Sequence, residues 1–166
     1  MALADRIDFG KKTNKFFFCL TGDGELNEGQ NWEAIMLAAK EKIHNLIMIV
    51  DRNNIQIDGF TEDIMPLNSL RKKFEAFNFH VQEIDGHNFE AISDSVNQAK
   101  AIFDMPSVII AHTIPGKGIP FMERDYRWHG VPPGKGPEDF YKKDEQNKKA
   151  LEELRTLGGK IKCGDK

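Results

Sequence analysis

Gly22-Asp23-Gly24 follows an apolar run at residues 16–20, and Asn53-Asn54 follows a second apolar run at residues 46–50. Asp23 offers a charged oxygen ligand and Asn53 a neutral one. Gly24 lacks a Cβ, so backbone can approach a phosphate there and reach positive φ. A hard divalent cation needs few carboxylates when phosphate oxygens and water complete its octahedron. The chemistry these residues suggest is therefore a metal ion clamped between a diphosphate and oxygen ligands. Backbone N–H groups in the turn, and at the start of a following helix, would face the anion.

Taken singly, Gly-Asp-Gly and Asn-Asn read as ordinary turns, since Asn tolerates left-handed backbone. Their joint placement is more specific. Each ends an apolar strand, with a helical segment between them, so both fall on the edge of an open α/β sheet where ligands bind. The elements that would position them follow from the apolar pattern. Strands are expected at 16–21, 46–51, 79–85 and 108–113; the first, second and fourth are nearly continuous in apolar residues, as strands covered on both faces are. Helices are expected at 28–42, after Pro66, and from Phe89 onward with Asn88 as N-cap. Trp32, Ile35, Met36 and Ala39 form the core stripe of the first. Leu67, Leu70, Phe74 and Phe77 form that of the second, and Phe89, Ile92, Val96, Ala99 and Phe103 that of the third. Alternating strands and helices predict right-handed crossovers and an α/β fold, a parallel sheet flanked by helices.

Two stretches interrupt the rhythm. Residues 54–66 form a long irregular connection, and residues 114–137 are rich in Gly and Pro and carry Lys117, Trp128 and His129. Loops of this length inside a domain are usually functional or disordered. The α/β domain is expected over 1–137, with 138–166 a charged helix through about residue 157 and a basic tail. The 166 residues suffice for one domain with a real core. A net charge of −3 gives no electrostatic case for nucleic acid. No apolar stretch approaches the roughly 20 residues that span a bilayer. Asp5 and Arg6 stand where a signal peptide would be apolar. Cys19, expected in a buried strand, and Cys163, in the tail, imply no disulfide framework, and a reducing cytoplasm is the simplest setting.

Three segments, residues 22–29 (Gly-Asp-Gly-Glu-Leu-Asn-Glu-Gly), residues 51–59 (Asp-Arg-Asn-Asn-Ile-Gln-Ile-Asp-Gly) and Trp128-His129-Gly130, together resemble the diphosphate-binding part of transketolase. The resemblance runs from residue 1 to about 157 and is nearest the short subunit of transketolases split into two chains. Asn53 stands 30 positions beyond Asp23, as in the family's thiamine diphosphate motif. The resemblance implies the thiamine diphosphate-binding fold, with Asp23 and Asn53 as side-chain ligands of Mg²⁺ or Ca²⁺ and the Ile55 carbonyl beside them. It implies that Gly22, Gly24 and Glu25 form the loop on the diphosphate and that Ile57 lies beside the thiazolium ring. Glu28 and Glu33 match acidic residues of the subunit contact, and His129 matches a histidine that reaches the diphosphate and the reacting end of the sugar; Glu28 and His129 are the candidate catalytic positions.

The remaining histidines read differently. His44, His80 and His112 are expected at the surface or packed at strand ends, and His87 belongs to turn chemistry. Pro115 stands where many relatives carry a basic residue near the cofactor, while Lys117 remains within the turn. The family domain is expected to begin upstream of Met1. A pyrimidine-binding partner chain, sugar phosphate substrates and an oligomer are implied, without nucleic acid or membrane. A phosphatase of the haloacid dehalogenase type can share Gly-Asp-Gly-x-Asn, but it needs an Asp-x-Asp pair that this sequence lacks. A catalytically silent binding module, or another thiamine diphosphate enzyme such as deoxyxylulose phosphate synthase, is the alternative; Trp128-His129-Gly130 favours transketolase.

Overall fold

The computed structural model describes residues 1–9 and 14–156. In chain order its elements are α1 (Ala2–Phe9), β1 (Phe17–Gly22), a 3₁₀ turn (Gly24–Asn27), α2 (Gly29–Lys40), β2 (Leu46–Arg52), β3 (Ile55–Gln56) and β4 (Gly59–Phe60). There follow α3 (Thr61–Ile64), α4 (Leu70–Ala76), β5 (His80–Asp85), α5 (Phe89–Lys100), β6 (Ser107–His112), a second 3₁₀ turn (Tyr126–Trp128) and α6 (Lys143–Thr156). Packing divides the described residues into two units, one drawn from 1–54 with 65–113 and the other from 55–64 with 114–156.

The first unit is built on a four-stranded sheet in the order β1-β2-β6-β5, with every pairing parallel. Parallel neighbours need crossover connections, and α2, α4 and α5 supply them. β6, Ser-Val-Ile-Ile-Ala-His, is buried along all but its last residue, which is why its sequence shows no alternation. One face of the sheet meets a core containing Val50, Val108, Ile110 and Phe74. The other packs Ile47 and Ile109 against Ala99 of α5. The helix starts follow from local chemistry. The Asn88 side chain accepts from the backbone N–H groups of Glu90 and Ala91 at 3.0 and 3.1 Å, and Ser69 caps α4 through the Lys72 N–H.

Several expectations fail at the margins. β1 is an edge strand rather than a covered one: Phe18 and Leu20 are 51% and 71% exposed, and Cys19 is exposed as well. Continuous apolar character distinguishes a strand with two coated faces only when neighbours exist to coat it. Met36, Phe89 and Phe103, expected in the core stripes, are exposed, and Phe103 lies beyond α5, which stops at Lys100. The connection after Asn54 is not irregular throughout; it contains the β3–β4 hairpin and α3. Of the two positions expected for His44, at the surface or packed, it takes the packed one: it is buried, and its ring lies 6.3 Å from that of Phe103.

The second unit has its own small core of Phe121, Trp128 and Ala150. Ala150 belongs to α6, so this helix, expected as a separate segment, packs onto the Gly/Pro-rich loop. It starts at Lys143 rather than near Glu138, and the buried side chain of Gln146 explains the delay: its Nε2 donates to the carbonyls of Pro137 and Tyr141 at 2.7 and 3.1 Å. Cys163 and the tail lie outside the described residues. Among the described residues, no helix is long and apolar enough to cross a membrane.

Candidate functional site

The ends of β1, β2 and β6 bring a hydrogen-bonded cluster together at the carboxyl edge of the sheet. The Asp23 N–H donates to the Asp51 carbonyl at 3.1 Å, which carries the β1–β2 ladder one residue past Gly22. Asp23 is 1% exposed. Its Oδ2 accepts from Arg52 Nη1 at 2.9 Å and from the Asn54 N–H at 2.8 Å. Its Oδ1 is buried with no hydrogen-bond partner. Asp23 stands at the N-cap position of the 3₁₀ turn, yet its side chain does not cap it. The carboxylate is committed to the end of β2 instead.

The second carboxylate of the cluster is Asp51. It accepts from Asn53 Nδ2 at 3.0 Å and, in a short contact, from the Thr113 hydroxyl. Asn54 makes the turn with φ of 65°, the left-handed backbone that Asn tolerates, and this aims its N–H at Asp23. Gly24 does not have positive φ: it opens the 3₁₀ turn, and the left-handed residue is Asn54. Glu25 folds back so that Oε2 accepts from the Gly22 N–H at 2.6 Å. The turn is fastened from α2, where Trp32 Nε1 donates to the Leu26 carbonyl at 2.8 Å and Asn31 Nδ2 to the Glu25 carbonyl at 2.6 Å. Glu28 and Glu33 are exposed on the start of α2. The structure thus brings Gly22, Asp23, Glu25 and Asn53 onto one edge.

Ile55, Ile57 and His129 belong to the second unit. Ile55 is buried in β3, and Ile57 is exposed in the turn of the β3–β4 hairpin. His129 is exposed at the end of the Tyr126–Trp128 turn, and its N–H donates to the Tyr126 carbonyl at 2.8 Å. Its neighbour Trp128 is an anchor: buried, edge-on to Phe121 at 5.5 Å, and so close to Gly136 that a Cβ there would lie 2.1 Å from the indole. The loop is tied at Asp125, which accepts from the Arg127 guanidinium at 2.7 Å, and Arg127 also pairs with Asp139. That hydrogen bond from Arg127 holds the Asp125 carboxyl below its ordinary range, against the opposing pull of partial burial.

These residues suit a hard cation with an anion beside it. A buried carboxylate oxygen without a partner is costly unless something positive meets it. No three His, Cys, Asp or Glu side chains gather as a metal site among the described residues, so oxygens from elsewhere would have to complete the shell. This is the arrangement Mg²⁺ takes with one carboxylate plus phosphate. Sequence reasoning missed Arg52, Asp51 and Thr113. Arg52 sits in the middle of the recognised motif, but only parallel pairing in register could show that its guanidinium meets Asp23.

Residues 3–146 match the family model described as transketolase, thiamine diphosphate binding domain. The chain is 44% identical over 131 residues to the 6-deoxy-6-sulfo-D-fructose transketolase subunit SqwG of Clostridium sp. (strain MSTE9), covering 79% of this chain and 46% of that protein. It is 41% identical over 138 residues to an apulose-4-phosphate transketolase subunit of Actinobacillus succinogenes, covering 83% and 46%. The chain therefore spans about half the length of these curated relatives. Among solved structures, transketolase from Campylobacter jejuni superposes with a TM-score of 0.68 at 30% identity, over 95% of this chain and 27% of that one.

Proposed function

The chain belongs to the transketolase family of thiamine diphosphate-binding domains, and on that premise we propose that it is the diphosphate-binding half of a transketolase, moving a two-carbon ketol unit between sugar phosphates. What supports the reading within the molecule is Asp23: buried, fixed through one oxygen, and presenting the other without a partner. In this reading Asp23 and Asn53 hold a divalent metal by their side chains and Ile55 by its carbonyl. Gly22, Gly24 and Glu25 form the loop on the diphosphate, and Ile57 is the apolar neighbour of the thiazolium ring. Thiamine diphosphate, when bound, supplies the carbon–carbon bond chemistry. The protein orients reactants and places charge and proton donors. His129 is the donor near the reacting oxygens, and Glu28 and Glu33 face a pyrimidine-binding partner chain.

The test is calorimetry with Mg²⁺, thiamine diphosphate and the partner chain supplied. Wild type binds the cofactor in a metal-dependent way and Asp23→Ala does not, because the remaining amide ligand cannot offset the diphosphate's charge. His129→Ala keeps most of the binding and slows ketol transfer by about 10²–10⁴-fold, the usual contribution of a positioned proton donor in the transition state. Equal cofactor affinity in wild type and Asp23→Ala would reduce the motif to a turn. Binding without turnover in the wild type would favour a silent binding module.

A further inference from the structure

Arg52 is the only lysine or arginine that is buried among the described residues. It lies at the end of β2, on the edge where a metal and a diphosphate are expected. A buried guanidinium needs a strong partner, since removing a charge from water costs several kcal/mol unless hydrogen-bonded pairing offsets it. Arg52 has Asp23 Oδ2 at 2.9 Å. The same oxygen accepts the Asn54 N–H at 2.8 Å, while Oδ1 is buried without a hydrogen-bond partner.

Two consequences follow from this asymmetry. The first is geometric. Two donors on one oxygen stop the carboxylate from rotating, so a cation meets Oδ1 as a single, pre-aimed ligand. The second is electrostatic. Three carboxylates lie on this edge, and Arg52 cancels one of them. Asp51 is already engaged by Asn53 and Thr113, and Glu25 by the Gly22 N–H. A bare dication arriving at Oδ1 meets a carboxylate whose charge is shared with a guanidinium, and it is repelled by that guanidinium at close range. The missing negative charge has to arrive with the diphosphate.

We propose that Arg52 is a positioning residue that makes metal entry depend on the diphosphate: it aims Asp23 Oδ1 at the ion while keeping the site too weakly negative to hold a divalent cation alone. This inference rests on the diphosphate-binding reading given above. It differs from a purely structural role for the pair, because it requires the diphosphate's effect on metal affinity to shrink when the guanidinium's charge is removed.

The experiment uses the full chain with the partner chain supplied, with Mn²⁺ as the probe and free Mn²⁺ followed by electron paramagnetic resonance, with and without thiamine diphosphate. In wild type the diphosphate tightens Mn²⁺ binding on the order of 100-fold, within the usual span of coupling between two ligands. Arg52→Gln tightens Mn²⁺ binding in the absence of diphosphate by about tenfold or more, because a like charge a few ångströms away is gone, and the coupling shrinks accordingly. Arg52→Lys, which keeps the charge, stays close to wild type in its affinity for Mn²⁺ alone. Thermal melts establish that each variant is folded. An Arg52→Gln protein that binds Mn²⁺ alone no better than wild type overturns the inference while leaving the functional reading standing, provided wild type binds metal and diphosphate together. Should Arg52→Gln fail to fold, the wild-type measurement decides: Mn²⁺ affinity that does not change on adding diphosphate overturns the proposal. Wild type that binds neither Mn²⁺ nor thiamine diphosphate removes both readings together.

Discussion

At the scale of single residues, the ion pair at the end of β2 dominates expectations. Asp23 and Arg52 are both buried, and they pair through Asp23 Oδ2. Removing one partner of such a pair leaves an uncompensated buried charge, which costs about 3–5 kcal/mol. Asp23→Ala is therefore expected to lose stability on that scale, as well as metal-dependent cofactor binding; urea denaturation with no ligand present measures the first effect independently of the second. Double replacement with Arg52→Met should recover part of the loss, since an apolar pair avoids the orphaned guanidinium. A double variant as unstable as Asp23→Ala alone would mean that Asp23 matters through the Asn54 N–H rather than through Arg52.

Elements hold these residues in place through contacts that no short motif displays. Gly86, just past the end of β5, is required for space rather than for backbone freedom. A Cβ there would lie 2.6 Å from Thr113 Cγ2 and 3.1 Å from the His112 carbonyl. Gly86→Ala should therefore destabilise the sheet edge by about 1–3 kcal/mol, the usual cost of overpacking, and displace the Thr113 hydroxyl from Asp51. Chemical denaturation checks the first part, and weakened cofactor binding relative to wild type the second. The loop that presents His129 makes a different prediction. Hydrogen bonding to Arg127 depresses the folded-state pKa of Asp125, so the stabilisation is present above the unfolded value and is lost as pH falls. Trp128 should become more exposed below about pH 4, the ordinary aspartate range. Fluorescence in a Trp32→Phe background reads it; the transition should also shift when Arg127 is replaced by Gln, and an unshifted one would mean that another carboxylate controls the loop.

For the whole molecule, the open edge of the sheet matters most. Phe18 and Leu20 project from β1 beside Ile47 and Ile49 of β2, so an apolar strip runs along an edge strand. Exposed, hydrophobic edges of this kind pair with other chains. The isolated chain is expected to associate in a concentration-dependent manner in sedimentation velocity, and Leu20→Ser should shift the distribution toward monomer. A sharply monomeric wild type at high concentration would contradict it. Adding the partner chain should have the same effect as Leu20→Ser if that chain covers this edge.

The alternation of apolar runs with helix-period stripes was enough to expect a parallel α/β sheet, because that pattern reports which residues leave water and needs no long-range information. The motif residues were legible for the same local reason: Gly22-Asp23-Gly24 and Asn53-Asn54 lie at the ends of strands whose ends the sequence already marks. Cap residues such as Asn88 also act within their own turn. The edge position of β1 was not legible, since an apolar strand looks the same whether its neighbours are present or not. The partnership of Arg52 with Asp23 was equally hidden. It joins residues 29 positions apart, and only the parallel register of β1 on β2 brings them within hydrogen-bonding distance. Tertiary structure alone decided that the metal-ligand candidate has one oxygen committed and one without a partner, because that depends on which donors converge on a carboxylate from separate strand ends.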